Sequence, residues 1–146
     1  MSYRNLVAPI ILAVSTIAVA AHSPQHERHE LMENTGDAAK VIGEMMRGET
    51  AYDGAAVLES LQTSGEVATR FGGLFPAGTE SGDGTEAAPS IWEDREGFDA
   101  ALQQWADATA AAVEASPATL EDAEQALGPV FQSCKNCHDN YRIEDE

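Results

Sequence analysis

Apolar residues recur every three to four positions along four long stretches of the chain, and this period is typical of an amphipathic helix. The pattern predicts helices over residues 24–47, 53–71, 90–115 and 120–141. No stretch shows a convincing alternation of apolar and polar residues, so no strand is predicted.

The ends of these helices carry residues that cap free backbone groups. Ser23 is predicted to cap the first helix, with a proline at the first helical position, and Asp53 is predicted to cap the second. Thr119, with an aspartate three residues later, predicts a capping box before the last helix. Two starts stay open for the third helix, because Ser90 is a suitable cap and a restart near Glu93 also fits the pattern.

One connection is long and rich in Gly, Pro, Thr and Ser, over residues 74–89, and the others are short. Four amphipathic helices joined in this way predict an all-α fold, an antiparallel up-down-up-down four-helix bundle. Residues 22–146 are enough for one domain with a single core.

The first 21 residues are typical of a signal peptide. One positive charge, Arg4, precedes the apolar residues 6–21, and Ala18, Val19 and Ala20 are the small residues of a cleavage site. The apolar stretch is shorter than the roughly 20 residues that span a bilayer. We therefore expect cleavage near residue 20 or 21 and a periplasmic location; the alternative is an uncleaved N-terminal anchor.

The chain is strongly acidic. Seven of its eight Lys and Arg residues and all 25 Asp and Glu residues lie from His22 onward, which gives that part a formal charge of −18. Such a surface repels nucleic acid and anionic lipid surfaces, so neither is an expected partner. It suits encounter with a partner protein that has a basic docking surface, and a high-salt environment also selects it.

The chemistry is concentrated in Cys134, Cys137 and His138, which form a Cys-x-x-Cys-His motif with the only two cysteines of the chain. This spacing is the attachment motif of a c-type haem. The thiols add across the two porphyrin vinyl groups as thioethers, and the histidine is the proximal ligand of the iron. On a helix the three side chains share one face, together with the predicted core residues Leu127, Val130 and Phe131.

A zinc site, a redox-active dithiol and a structural disulfide each fit the motif less well than a haem does. A zinc site needs a fourth ligand and usually a second Cys/His pair at short spacing, which the chain lacks. A thioredoxin-like dithiol needs a βαβ setting and a helix N-terminus. A structural disulfide leaves His138 unexplained.

Beyond the motif, the chain resembles the class II cytochromes c, the cytochrome c prime family. The similar segments are residues 28–48, residues 74–92 and the haem-binding end at 134–142. The family resemblance implies one covalently attached haem c in a four-helix bundle, and many members are homodimers that pack their first two helices together.

The resemblance also implies a choice at one position of the first helix. In one branch of the family a methionine closes the far side of the iron and gives a low-spin electron carrier. In the other a small apolar residue leaves the iron five-coordinate and able to bind gases such as nitric oxide. The matching residue here is Met32, which predicts the first branch, while His29 one turn away is an alternative ligand.

Three further residues are candidates for contact with the haem. Arg28 matches an arginine that lies near a haem propionate in the family. Arg142, one turn after His138, is a candidate for the haem edge, and Trp92 is a candidate cover for it. No paired carboxylates, nucleophile–base set or phosphate loop indicates an enzyme. The expected function is therefore electron transfer, with gas binding as the alternative.

Overall fold

The computed structural model describes residues 23–82 and 84–143, so the predicted signal peptide lies outside the described residues. In that part of the chain the α-helices are α1 (Pro24–Met46), α2 (Gly54–Phe71), α3 (Ser90–Glu93), α4 (Arg95–Ala115) and α5 (Leu120–Tyr141), and a 3-10 turn at Gly72–Leu74 follows α2. The four long helices form the predicted antiparallel bundle, and the all-α prediction is confirmed. None of the described helices combines the length and apolar character needed to cross a membrane.

The predicted caps of three helices are present. The Ser23 hydroxyl accepts the N–H of His26 at 3.2 Å, and the Asp53 carboxylate accepts two N–H groups of the first turn of α2. Thr119 and Asp122 satisfy each other's backbone N–H groups in a capping box. Each cap replaces a hydrogen bond that the first helical turn lacks, which is why the helices begin at these residues.

The structure decides between the two predicted starts of the third long helix, and the prediction of a Ser90 cap is wrong. Ser90 is the first residue of the short helix α3 rather than a cap, and its hydroxyl donates to the carbonyl of Asn140 at 2.6 Å. The cap of α4 is Asp94, whose carboxylate accepts the N–H of Gly97 at 3.1 Å. The helix therefore restarts close to Glu93, as the second option predicted.

The core fills the space between neighbouring helices. The largest fully buried side chains are Phe98, Leu61, Ile91, Leu127, Val57 and Thr109. The prediction that Phe131 faces this core is wrong, because its side chain is 38% exposed. Val130, 5% exposed, takes the inward position of α5, and consecutive residues of a helix point about 100° apart.

Candidate haem-binding site

A cleft lies between the first and last helices of the bundle. Both α1 and α5 contribute lining side chains, and these two helices contact each other far more sparsely than the other neighbouring pairs of long helices do. Residues 84–87 of the long loop line the cleft as well. It encloses about 670 Å³ free of protein atoms, with the open solvent at its mouth included.

The Cys-x-x-Cys-His motif lies on α5, as predicted. Cys137 and His138 line the cleft, while Cys134 is half-buried and packs against the hydrophobic core. Both thiols are free. Helical spacing places the three side chains on one face of α5, so they are available together to one flat partner.

The protonation of these groups follows from their surroundings. Burial raises the pKa of the Cys134 thiol, and burial together with the neighbouring Cys134 raises the pKa of Cys137 to about 11. Desolvation in the cleft and then the charge of Arg142 lower the pKa of His138. Near pH 7 the motif therefore presents neutral thiols and a neutral imidazole, the form of histidine that binds metals.

From α1, the side chains of Arg28, His29 and Met32 line the same cleft. Met32 is half-buried, whereas His29 is exposed and its Nε2 lies 3.5 Å from Glu33 Oε1. The structure thus brings both candidate α1 ligands to the cleft that holds His138.

Arg28 is the one buried cation among the described residues, with 5% of its surface exposed. Its Nη2 donates to the carbonyl oxygen of Thr79 at 2.9 Å and to Thr85 Oγ1 at 3.2 Å, and its guanidinium lies 4.6 Å from the ring centroid of Phe75. Burial lowers the pKa of Arg28, and the charge of Glu80 opposes this shift. A guanidinium stays protonated in proteins, so a buried positive charge borders the cleft.

The hydrogen-bonding capacity of Arg28 tests whether a haem fits here. Its Nε and Nη1 are buried and have no hydrogen-bond partner among the described residues. A buried charge with unmet donors costs several kcal/mol, and a carboxylate is the group that satisfies a guanidinium best. A porphyrin carries two carboxylates as well as a large apolar ring, so the residues present fit a haem.

Arg142 fastens the long loop beside the motif. Its Nε lies 2.6 Å from Glu86 Oε2, and its backbone forms an isolated antiparallel bridge with Ala87. The Ile143 N–H adds a hydrogen bond of 2.8 Å to the Glu86 carbonyl oxygen. The loop is therefore tied to the chain shortly after His138, and Arg142 lines the cleft.

The apolar wall of the cleft was not identified from the sequence. Four aromatic side chains contribute to it, namely Phe71, Phe75, Phe98 and Tyr141. The ring of Phe75 contacts the rings of Phe71 and Phe98 edge to face. Trp92 stacks edge to face against Phe75, with centroids 5.7 Å apart, and is not among the described side chains that line the cleft. Two features of the sequence could have indicated this wall: the resemblance of residues 74–92 to the family, and the position of Tyr141 one turn after His138.

The cleft thus combines the thiol of Cys137, an imidazole, a buried guanidinium and an aromatic wall, and the thiol of Cys134 lies on the same helix. Comparison with known proteins agrees with this combination. The family described as Cytochrome C' matches residues 23–142.

A cytochrome c' from Rhodopseudomonas palustris is 33% identical over 139 residues, which cover 93% of this chain and 92% of the relative. A cytochrome c-556 from the same bacterium is 28% identical over 144 residues, 94% of each. The solved structure of a cytochrome c' from Rhodopseudomonas palustris superposes with a TM-score of 0.83 at 31% identity, over 86% of this chain and 100% of that one. The chain therefore belongs to the cytochrome c' family, whose members carry one covalently bound c-type haem.

Proposed function

We propose that this protein is an electron-transfer cytochrome, with Cys134 and Cys137 as covalent anchors of the haem and His138 and Met32 as the ligands of its iron. The observation that carries the proposal is that Met32 of α1 lines the same cleft as His138 of α5. When bound, the haem supplies an iron that changes between Fe(II) and Fe(III). The proposed role includes no turnover of a substrate.

The side chains around the cleft have distinct tasks in this proposal. The Met32 thioether favours reduced iron relative to a second imidazole and so raises the reduction potential. The aromatic wall excludes water from the haem ring, and this exclusion of water also affects the reduction potential. Arg28 compensates the negative charge of a cofactor carboxylate.

The second candidate is the open branch of the family, in which the iron binds small gases. The similarity to a relative named cytochrome c' favours it, whereas the similarity to a cytochrome c-556 favours the first. The side chain of Met32 distinguishes the two, because a thioether on the iron leaves no position for a gas.

Optical spectra of the purified holoprotein test the proposal. We expect low-spin spectra in both the oxidised and the reduced state, and a reduced spectrum that carbon monoxide does not change. A high-spin spectrum that changes on addition of carbon monoxide would refute Met32 ligation and support gas binding.

The acidic surface of the protein supports the proposal of a redox partner protein with a basic docking surface. Of the cations outside the signal peptide, five form ion pairs with nearby carboxylates, namely Arg47, Arg70, Arg95, Lys135 and Arg142. The remaining carboxylates therefore give the surface its negative field. We expect the rate of electron exchange with a basic partner protein to fall steeply with ionic strength, and a rate independent of salt would contradict this partner class.

A homodimer through the first two helices is also part of the proposal. Val41 of α1 is 40% exposed beside the groove between α1 and α2. Asp37, Glu59 and Glu66 also line that groove, so a symmetric pairing brings like charges together. Sedimentation at low and high salt measures this: a dimer that forms more readily at high salt is expected, and a monomer in both refutes the pairing.

We also propose that the protein is periplasmic. The support is the signal-peptide pattern of residues 1–21. The intact mass of the exported protein is expected to correspond to a chain that begins near Ala21 or His22 and carries the haem. A mass that retains residues 1–20 would instead indicate an uncleaved anchor.

A further inference from the structure

Thr85 has an unused hydrogen-bond donor at the edge of the cleft. Its Oγ1 accepts one N–H from Arg28 Nη2 at 3.2 Å and a second from the Ala87 backbone at 3.3 Å. A hydroxyl has two lone pairs and one proton, so these two bonds occupy both acceptor positions. The O–H donates to no other group among the described residues, although Thr85 lines the cleft.

The backbone holds Thr85 firmly in this position. Its N–H donates to the carbonyl of Gly82 at 3.0 Å, and the preceding Gly84 has a φ of 67°, a left-handed conformation that favours glycine. Two residues further on, Ala87 forms its bridge with Arg142. A donor held at both sides loses little entropy when it binds a ligand.

Thr85 and Arg28 are therefore linked donors on one side of the cleft. Arg28 contributes a buried positive charge with two unpartnered nitrogens, and Thr85 contributes an O–H whose lone pairs are already engaged. The Thr85 O–H and the Nε and Nη1 of Arg28 lack an acceptor among the described residues. A carboxylate has lone pairs for both residues.

We propose that the Thr85 hydroxyl is a second donor to a carboxylate of the haem, beside Arg28. The inference rests on the haem site proposed above. Thr85 binds the carboxylate directly and holds Arg28 through its own lone pair. A donor to this carboxylate compensates negative charge near the iron, and so favours the reduced state.

The chain offers a matched control on the same loop. The Thr79 hydroxyl donates to the carbonyl oxygen of Pro76 at 2.8 Å, so it serves the loop and does not face a ligand. Thr79→Val removes the same chemical group as Thr85→Val, and the Thr79 carbonyl that accepts Arg28 is retained.

Two measurements on the holoprotein test the proposal. The first is the resonance Raman spectrum, in which vibrations of the haem and its carboxylates are enhanced. The second is the reduction potential at pH 7. Thr85→Val is expected to shift the carboxylate modes and lower the potential, and Thr85→Ala to do the same. Thr85→Ser, which keeps the hydroxyl, and Thr79→Val are expected to match the wild type.

Three results would each overturn the inference: unchanged modes and potential in both Thr85→Val and Thr85→Ala, an equal shift in Thr79→Val, or an equal shift in Thr85→Ser. The visible spectrum separates this outcome from failure of the haem site. A wild type without c-type haem bands refutes the site, whereas normal bands with insensitive Thr85 variants refute only the role of Thr85.

Discussion

The hydroxyl of Tyr141 donates a hydrogen bond of 3.2 Å to the carboxylate of Asp94, 47 residues earlier in the chain. Tyr141 is the last residue of α5 and lines the cleft, and Asp94 caps α4. This bond therefore joins the end of α5, the helix that carries the Cys-x-x-Cys-His motif, to the start of its neighbour α4. It depends on Gly97, because a Cβ there would lie 2.6 Å from the tyrosine oxygen.

Gly97→Ala is expected to destabilise the protein. Alanine in a helix gains about 1 kcal/mol over glycine, but the new methyl group overlaps Tyr141 and Asp94, and such overpacking costs about 1–3 kcal/mol. We expect a net loss of about 1 kcal/mol in the free energy of unfolding, measured by urea denaturation. The control is Gly36→Ala in α1, where a Cβ would contact nothing within 4 Å and stability should rise. Equal effects of the two substitutions would contradict the role of Gly97.

Thr109→Val is expected to stabilise the core. Thr109 is 1% exposed and its Oγ1 has no hydrogen-bond partner among the described residues. A buried hydroxyl without a partner costs about 1–3 kcal/mol, and valine has nearly the same shape. Urea denaturation should show a gain of about 1 kcal/mol.

Ser64→Ala is the matched comparison in the same core. Ser64 Oγ accepts the indole N–H of Trp105 at 3.0 Å, and alanine leaves that buried donor unsatisfied. We expect a loss of about 1–3 kcal/mol. If both substitutions change stability in the same direction, hydrogen bonding does not control this layer of the core.

Met32→Ala is expected to convert a low-spin spectrum into a high-spin one and to allow carbon monoxide to bind. The physical reason is that alanine has no group that reaches a metal, so the sixth position opens. The control is His29→Ala on the same wall of the cleft, which should leave the spectrum unchanged. A spectral change in His29→Ala instead would assign the ligand to His29.

Added salt is expected to stabilise the protein. Residues from His22 onward carry a formal charge of −18, and self-repulsion of that charge opposes the compact state. Salt also weakens the exposed ion pairs, but each contributes at most about 1 kcal/mol. The midpoint of thermal unfolding should therefore rise between about 0.01 and 0.15 M sodium chloride, over which the screening length falls from about 30 to 8 Å. A falling midpoint would show that the ion pairs outweigh the repulsion.

The helices were predictable because their signals are local. A capping box occupies four consecutive residues and satisfies its own hydrogen bonds, so Thr119 and Asp122 identify the start of α5 without reference to other elements. Likewise, the thiols and the imidazole of the haem motif are positioned by helical spacing alone. Ser90 was ambiguous because its hydroxyl bonds to Asn140, 50 residues away, and no local pattern encodes that contact.

The chain's own order of residues thus specifies the four helices, the Cys-x-x-Cys-His motif and the acidic surface, since each depends on neighbours in the chain or on composition. The tertiary structure decided which side chains share the cleft. Arg28 donates hydrogen bonds to Thr79 and Thr85, which lie 51 and 57 residues later in the chain. The aromatic wall consists of side chains from α2, α4 and α5 together with Phe75. Such contacts join residues that lie far apart in the chain, so they form only when the bundle closes.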